Sequence, residues 1–241
     1  DALDDASTAA ACAADPQTRA IYIVPANDNP TAETLDDDAR RAIAAAATRH
    51  KLQVIEDVAY GPLALVPAAP VSAHAPDRSW YIASASKIIS PALRVAFVRA
   101  PHVAAAVQLA TNVQQTAVMA PPLNAAMLSR WIDDGTCMRL FAAMRDEASR
   151  RQALAANLLK GLDFTAHPQG YHLWLRLPGA VAPNDLADAM RPTGLSVMPA
   201  DRFSVDGAPA NAVRVSLGGL ADDDQLIRAL RILHGHATVL S

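Results

Sequence analysis

Leu52-Gln53-Val54-Ile55-Glu56-Asp57 is the stretch that decides the fold. It reads as a short buried strand that ends on a carboxylate. Upstream, Ala20-Ile21-Tyr22-Ile23-Val24 reads the same way, stopped by Pro25 and the turn-rich Asn27-Asp28-Asn29-Pro30. Between them, Asp36 to His50 reads as a helix, acidic in its first turn and basic at its end, as the helix dipole favours. Trp80 to Ser84 and Leu93 to Val98 supply two more strands. Strands separated by helices imply a mainly parallel sheet with crossovers, hence an α/β architecture. Ligands of such sheets lie beyond the carboxyl ends of the strands, and Asn29, Asp57 and Lys87 all fall at or just past such ends.

From Pro101 to about Gly161 the chain is strongly helical. Pro121-Pro122 opens a helix expected to reach Asp133 or Asp134 before Gly135 breaks it, and a second is expected from about Met138 to Leu159. Past Gly161 the pattern changes. His172 to Leu177 and Ala212 to Leu217 alternate like strands, with helices at about Asn184–Pro192 and Asp222–His234. The expected division is 1–120 as a partial large domain, 121–161 as interdomain helices and 162–241 as a small α+β domain.

The 241 residues are 51% hydrophobic and 19% charged, which fits a globular protein with a sizeable core. A net charge of -3 gives no electrostatic footprint for nucleic acid. No apolar stretch reaches the roughly 18 to 20 residues that span a bilayer, so no membrane partner is expected. The acidic start (Asp1, Asp4, Asp5) is unlike a basic signal peptide. Cys12 and Cys137 lie far apart and read as free thiols in a reducing cytoplasm. The seven histidines have no zinc-site spacing, and no metal is expected.

Lys87 is the chemical centre of the reading. The chain has only three lysines, Lys51, Lys87 and Lys160, so lysine is not used here as general surface charge. An amine at the end of a buried strand is expected to be desolvated, which makes it a better nucleophile. Ser84 and Ser86 before it and Arg94 after it are donors that suit a phosphate. Together they suggest a lysine that forms a Schiff base with a phosphorylated aldehyde. Taken alone, Ser84-Ala85-Ser86-Lys87 is better read as a snorkelling lysine in a strand-to-loop turn, and the rest of the chain reverses that preference.

Four motifs in order carry a resemblance: Asn29-Pro30-Thr31, Asp57-Val58-Ala59-Tyr60, Ser84-Ala85-Ser86-Lys87 with Arg94, and Val213-Arg214-Val215-Ser216. Over essentially the whole chain they resemble the fold-type I pyridoxal-phosphate aminotransferases. The resemblance implies pyridoxal 5'-phosphate as cofactor, on a mainly parallel sheet with helices on both faces plus a smaller C-terminal α+β domain. It implies that Lys87 carries the Schiff base and shuttles protons, and that Asp57 keeps the pyridine nitrogen protonated. Tyr60 and Asn29 would bond the phenolic oxygen, and Ser84, Ser86 and Arg94 the phosphate. Arg214 would clamp the α-carboxylate of an amino acid. Pro199 to Phe203 is a candidate border of that pocket, while His172 and Trp174 are expected to pack the small lobe.

Ala59-Tyr60-Gly61-Pro62-Leu63, Met119 to Leu123 and Arg130 to Thr136 are most similar to one branch, the effector domain of MocR-type regulators in the GntR family. That resemblance implies a homodimer that binds an amino acid or amine, with DNA read only by an N-terminal winged helix absent from this chain. The alternative it leaves open is a catalytic aminotransferase acting on an α-amino acid. In the family, Asn-Pro-Thr follows a long stretch of the large domain. Nothing before Ile21 corresponds to it, so the chain is expected to be N-terminally truncated, part of a longer protein. Ala32, where many relatives have glycine, is expected to alter the turn slightly.

Overall fold

The computed structural model describes residues 3–205, 207–219 and 222–238, so Asp1 of the acidic start lies outside the described residues. Its residues form two units, Asp1–Ala26 with Thr34–Ala142, and Asn27–Glu33 with Ala143–Ser241.

In the first unit, β1 (Ala20–Ile23), β2 (Gln53–Asp57), β3 (Ser79–Ser84) and β4 (Ala96–Arg99) form one sheet in that order. The first three are parallel and β4 is antiparallel at the edge. Connecting helices force the parallel pairing: α1 (Asp5–Ala14) precedes β1, α2 (Asp37–Arg49) joins β1 to β2, and the short α3 (Val71–His74) precedes β3. Asp36 caps α2 by accepting the Ala39 N–H at 2.8 Å. Alternation along the strands turns Ile21, Ile23 and Val54 to one face, where they pack with Ile43, Ala44 and Ala47 of α2.

The same face buries a charge that the sequence reading did not assign. Glu56 is fully buried and accepts the Val71 and Ser72 N–H groups at 2.9 Å each, at the start of α3. Arg40, also buried, lies 4.0 Å away and donates to the carbonyls of Pro25 (2.7 Å) and Leu35 (2.9 Å). Burial pushes the Arg40 guanidinium below its ordinary range, and Glu56 pulls it back.

After β4 come α4 (Val103–Thr116), α5 (Pro122–Asp133) and α6 (Thr136–Leu158). Proline at the start of α5 and Gly135 at φ +77° set the breaks where the sequence put them. Leu128 of α5 and Cys137 at the start of α6 pack on Ala85, Leu93 and Val95, under the loop that carries Lys87.

The second unit is an antiparallel sheet of β5 (Phe164–Ala166), β6 (His172–Arg176), β7 (Ser196–Pro199) and β8 (Ala212–Ser216), in the order β5-β6-β8-β7. Leu173, Leu175, Val213 and Val215 are buried against α7 (Pro183–Met190), α8 (Asp223–Thr238) and the later part of α6. Asp222 accepts the Asp224 N–H at 2.9 Å, as an N-terminal cap should. His172 and Trp174 are buried in this unit, as their sequence placement suggested.

One expectation needs correction. The strand expected over Leu93–Val98 begins only at Ala96, because Pro91–Leu93 forms a 3-10 turn and Arg94 takes φ +52°. Ala32 adopts φ +60°, the left-handed conformation that glycine enters most readily.

Candidate active site

The expected site residues fall into two groups, one in each unit. In the first unit, Asp57 is the last residue of β2 and pairs with Ile82 of β3. With a side-chain period of two, Tyr22, Ile55, Asp57, Ile82 and Ser84 share one face, opposite the face that packs on α2. The Tyr22 hydroxyl donates to Asp57 Oδ2 at 3.0 Å, and the Ala59 N–H donates to Oδ1 at 3.2 Å. Both carboxylate oxygens are therefore engaged, which fixes the group in orientation. Tyr22 is a residue the sequence reading missed. Its signal was an aromatic on the exposed side of an alternating strand, 61% exposed, beside the strand that ends in the acid. On this face a cavity of about 480 Å³ is lined by Ile55, Trp80, Ile82 and Val98 of the sheet and Leu109 of α4.

Tyr60 follows in the turn after β2, at the mouth of the 3-10 segment Gly61–Leu63. Gly61 fits closely there: a Cβ would lie 2.2 Å from Val58 Cγ1, so any side chain would force Val58 to shift. On the neighbouring strand, Ser84 ends β3, and its hydroxyl accepts the Ser86 N–H at 3.1 Å. Lys87 lies in the turn that follows. Its side chain is exposed, so the desolvation expected at the end of a buried strand is not found. The physical reason is that Ala85 and Ile88 take the inward positions of this turn and leave Lys87 pointing outward. The Ala85 N–H donates to the Val95 carbonyl at 3.2 Å, which draws Arg94 to the same edge. Ser84, Ser86, Lys87 and Arg94 thus lie on the chain that leaves β3 and enters β4, at the end of the sheet where β2 finishes in Asp57. In charge and donor type that set fits a ligand carrying a phosphate and a basic ring nitrogen.

In the second unit, Arg214 of β8 donates from Nη1 to Asn29 Oδ1 at 2.6 Å. Its guanidinium carbon lies 5.1 Å from the centre of the Phe203 ring, and Phe203 meets Trp174 edge-on at 6.3 Å. Phe203 belongs to the segment the sequence marked as a pocket border, and here it supports the candidate carboxylate-binding arginine. Asn29 groups with this unit although Ala26 and Thr34 on either side belong to the first.

Comparison with known proteins decides the family. The sequence profile described as aminotransferase class I and II matches residues 2–233. The chain belongs to that family. An uncharacterized HTH-type transcriptional regulator of Bacillus subtilis is 29% identical over 216 residues, covering 89% of this chain and 46% of its own length. The 2-aminoadipate transaminase of Thermus thermophilus is 27% identical over 212 residues, covering 84% of this chain and 53% of its own. A regulator of the same HTH type from Escherichia coli is 27% identical over 213 residues, covering 82% and 43%. The chain spans about half the length of the curated relatives it matches. Among solved structures, Pyrococcus horikoshii kynurenine aminotransferase, determined with PMP, superposes with a TM-score of 0.82 at 20% identity, over 91% of this chain and 56% of that one. The α-aminoadipate aminotransferase LysN of Thermus thermophilus gives 0.81 at 23%, over 96% and 62%. The fold is therefore that of the fold-type I aminotransferases, and pyridoxal 5'-phosphate is the cofactor that family membership implies.

Proposed function

We propose that this chain is the effector-sensing domain of a MocR/GntR-type transcriptional regulator, which holds pyridoxal 5'-phosphate at Lys87 and responds to an amino acid or amine. The observation that carries this reading is that HTH-type regulators from two bacteria match it over 89% and 82% of its length. In this reading the domain acts as a cytoplasmic homodimer, and a winged helix elsewhere in the protein reads the DNA.

Bound pyridoxal phosphate supplies an aldehyde for amines and a ring that withdraws electrons. The chain's own residues supply the rest. Lys87 would offer its amine to the aldehyde and carry protons for the site. Asp57, oriented by Tyr22 and the Ala59 N–H, would hold a proton on the ring nitrogen. Tyr60 and Asn29 would each offer a hydrogen bond to the phenolic oxygen, while Ser84, Ser86 and Arg94 would bind the phosphate. Arg214, stacked on Phe203, binds the α-carboxylate.

The second reading, a catalytic aminotransferase for an α-amino acid, is favoured by the match to the 2-aminoadipate transaminase. One experiment separates the two. The full-length protein, loaded with cofactor, is supplied with a panel of amino acids and 2-oxoglutarate. The sensor reading expects a change in the cofactor spectrum without sustained keto-acid formation, together with altered DNA binding. Many turnovers per protein with any amino acid would refute it.

A further inference from the structure

His172 is the first residue of β6, 3% exposed, and its Nε2 lies 2.8 Å from the Asp28 carbonyl. A carbonyl only accepts, so this ring nitrogen carries the proton and donates. The same carbonyl also accepts the Ala32 N–H at 2.7 Å, and the Asp28 N–H donates to the Glu33 carbonyl at 2.8 Å. Asp28 is thus the hub of the turn, and its next residue is Asn29, the partner of Arg214 at 2.6 Å. On the sheet, Trp174 pairs with Arg214 and His172 with Ser216, so His172 and Arg214 share one face. The turn from Asn27 to Glu33 lies across both. A second contact seats it: a Cβ on Gly170 would come within 2.7 Å of Asn27 Oδ1.

We propose that His172 is a positioning residue for the carboxylate clamp. By donating to the Asp28 carbonyl it fixes the turn, the turn holds Asn29 Oδ1 against Arg214, and the guanidinium is thereby set in the orientation that meets a carboxylate. The proposal rests on the reading of Arg214 as the carboxylate-binding group.

The test is nitrogen-15 NMR of the arginine side chains of the full-length protein, with Arg214 assigned through Arg214→Lys. In the wild type, the bond to Asn29 restricts the guanidinium, and the Arg214 Nη protons are resolved at low temperature; Asn29→Ala calibrates their loss. His172→Phe keeps the bulk and removes the donor, and is expected to lose the resolved signals. His172→Gln, whose amide can reach the same carbonyl, is expected to keep them. Succinate, as the carboxylate probe, is expected to bind about tenfold more weakly to His172→Phe and within about twofold of wild type to His172→Gln. Unchanged Arg214 signals and unchanged succinate binding in His172→Phe, with only a lower melting temperature, would overturn the proposal. Should that variant not fold, Gly170→Ala disturbs the same turn from the Asn27 side, and unchanged Arg214 signals there would overturn it equally. If succinate leaves the wild-type Arg214 signals unmoved, the carboxylate reading fails, while the His172 and Gly170 variants still decide whether the turn sets the arginine.

Discussion

Glu56→Gln tests the buried anchor that holds β2, and with it Asp57. The two oxygens of Glu56 accept two backbone N–H groups at 2.9 Å each, and its charge faces a guanidinium that is 4% exposed. Glutamine keeps one acceptor and turns an NH₂ group toward the second N–H. A hydrogen bond to a charged group contributes about 1.5–3 kcal/mol. Removing one partner of a buried ion pair costs about 3–5 kcal/mol, because the other charge is left uncompensated. The two figures overlap, since the same desolvation enters both. The 4.0 Å separation from Arg40 is too long for a direct hydrogen bond, which favours the lower end. The expected loss is therefore about 3 kcal/mol, a large share of the roughly 5–15 kcal/mol that stabilises a typical domain. Urea denaturation followed by tryptophan fluorescence, to which Trp80 on the neighbouring strand β3 contributes, measures it. A loss under about 1 kcal/mol at unchanged denaturant slope would refute the reasoning, and would mean that water or a shifted Arg40 already satisfies the site.

Three further outcomes are expected. Ala32→Gly relieves a left-handed alanine, a strain of about 1–2 kcal/mol, against the roughly 0.5–1 kcal/mol entropy cost of glycine; the melting temperature should hold or rise, and a loss above about 1 kcal/mol would contradict the assigned turn. Tyr22→Phe removes the donor to Asp57 Oδ2. It should weaken cofactor affinity about three- to tenfold, as loss of one hydrogen bond of about 1 kcal/mol predicts, with little change in stability because the ring is exposed; equal affinity in a spectroscopic titration would show that Tyr22 does not orient the acid. Glu147, hydrogen-bonded by Arg150 and Arg151, has its carboxyl pulled down to about 2. A carboxyl lowered by folding stabilises above its unfolded range and loses that contribution as pH falls through the folded value. Its side chain is 41% exposed, so solvent screening keeps the effect small. Glu147→Gln should therefore melt slightly below wild type at neutral pH and converge with it as pH approaches 2; a gap that persists in acid would contradict the assignment.

The parallel strands were legible because each is a short apolar run closed by a turn signal, and Asp57 and Lys87 sit where such runs end. Helix limits were legible from Asp36, Pro122 and Gly135, whose backbone preferences act locally. Two strands of the second unit, Phe164–Ala166 and Ser196–Pro199, were not read, because three or four residues cannot display an alternation. The pairing of Asn29 with Arg214 and of His172 with the Asp28 carbonyl joins residues 185 and 144 positions apart, and no local pattern reports that. Family resemblance supplied the roles of Asn29 and Arg214, and supplied nothing for Tyr22, Glu56 or His172. The exposure of Lys87 was missed for a related reason, since a strand's end gives no information on which turn residues face inward.

The account depends most on Lys87. The direct measurement is the visible absorbance of the protein after addition of pyridoxal 5'-phosphate, beside a Lys87→Ala control, followed by borohydride reduction and mapping of the modified peptide. The account predicts a band that disappears in the control and a reduced cofactor found on the peptide containing Lys87. Cofactor mapped to Lys51 or Lys160, or no band from either this chain or the full-length protein, would contradict it.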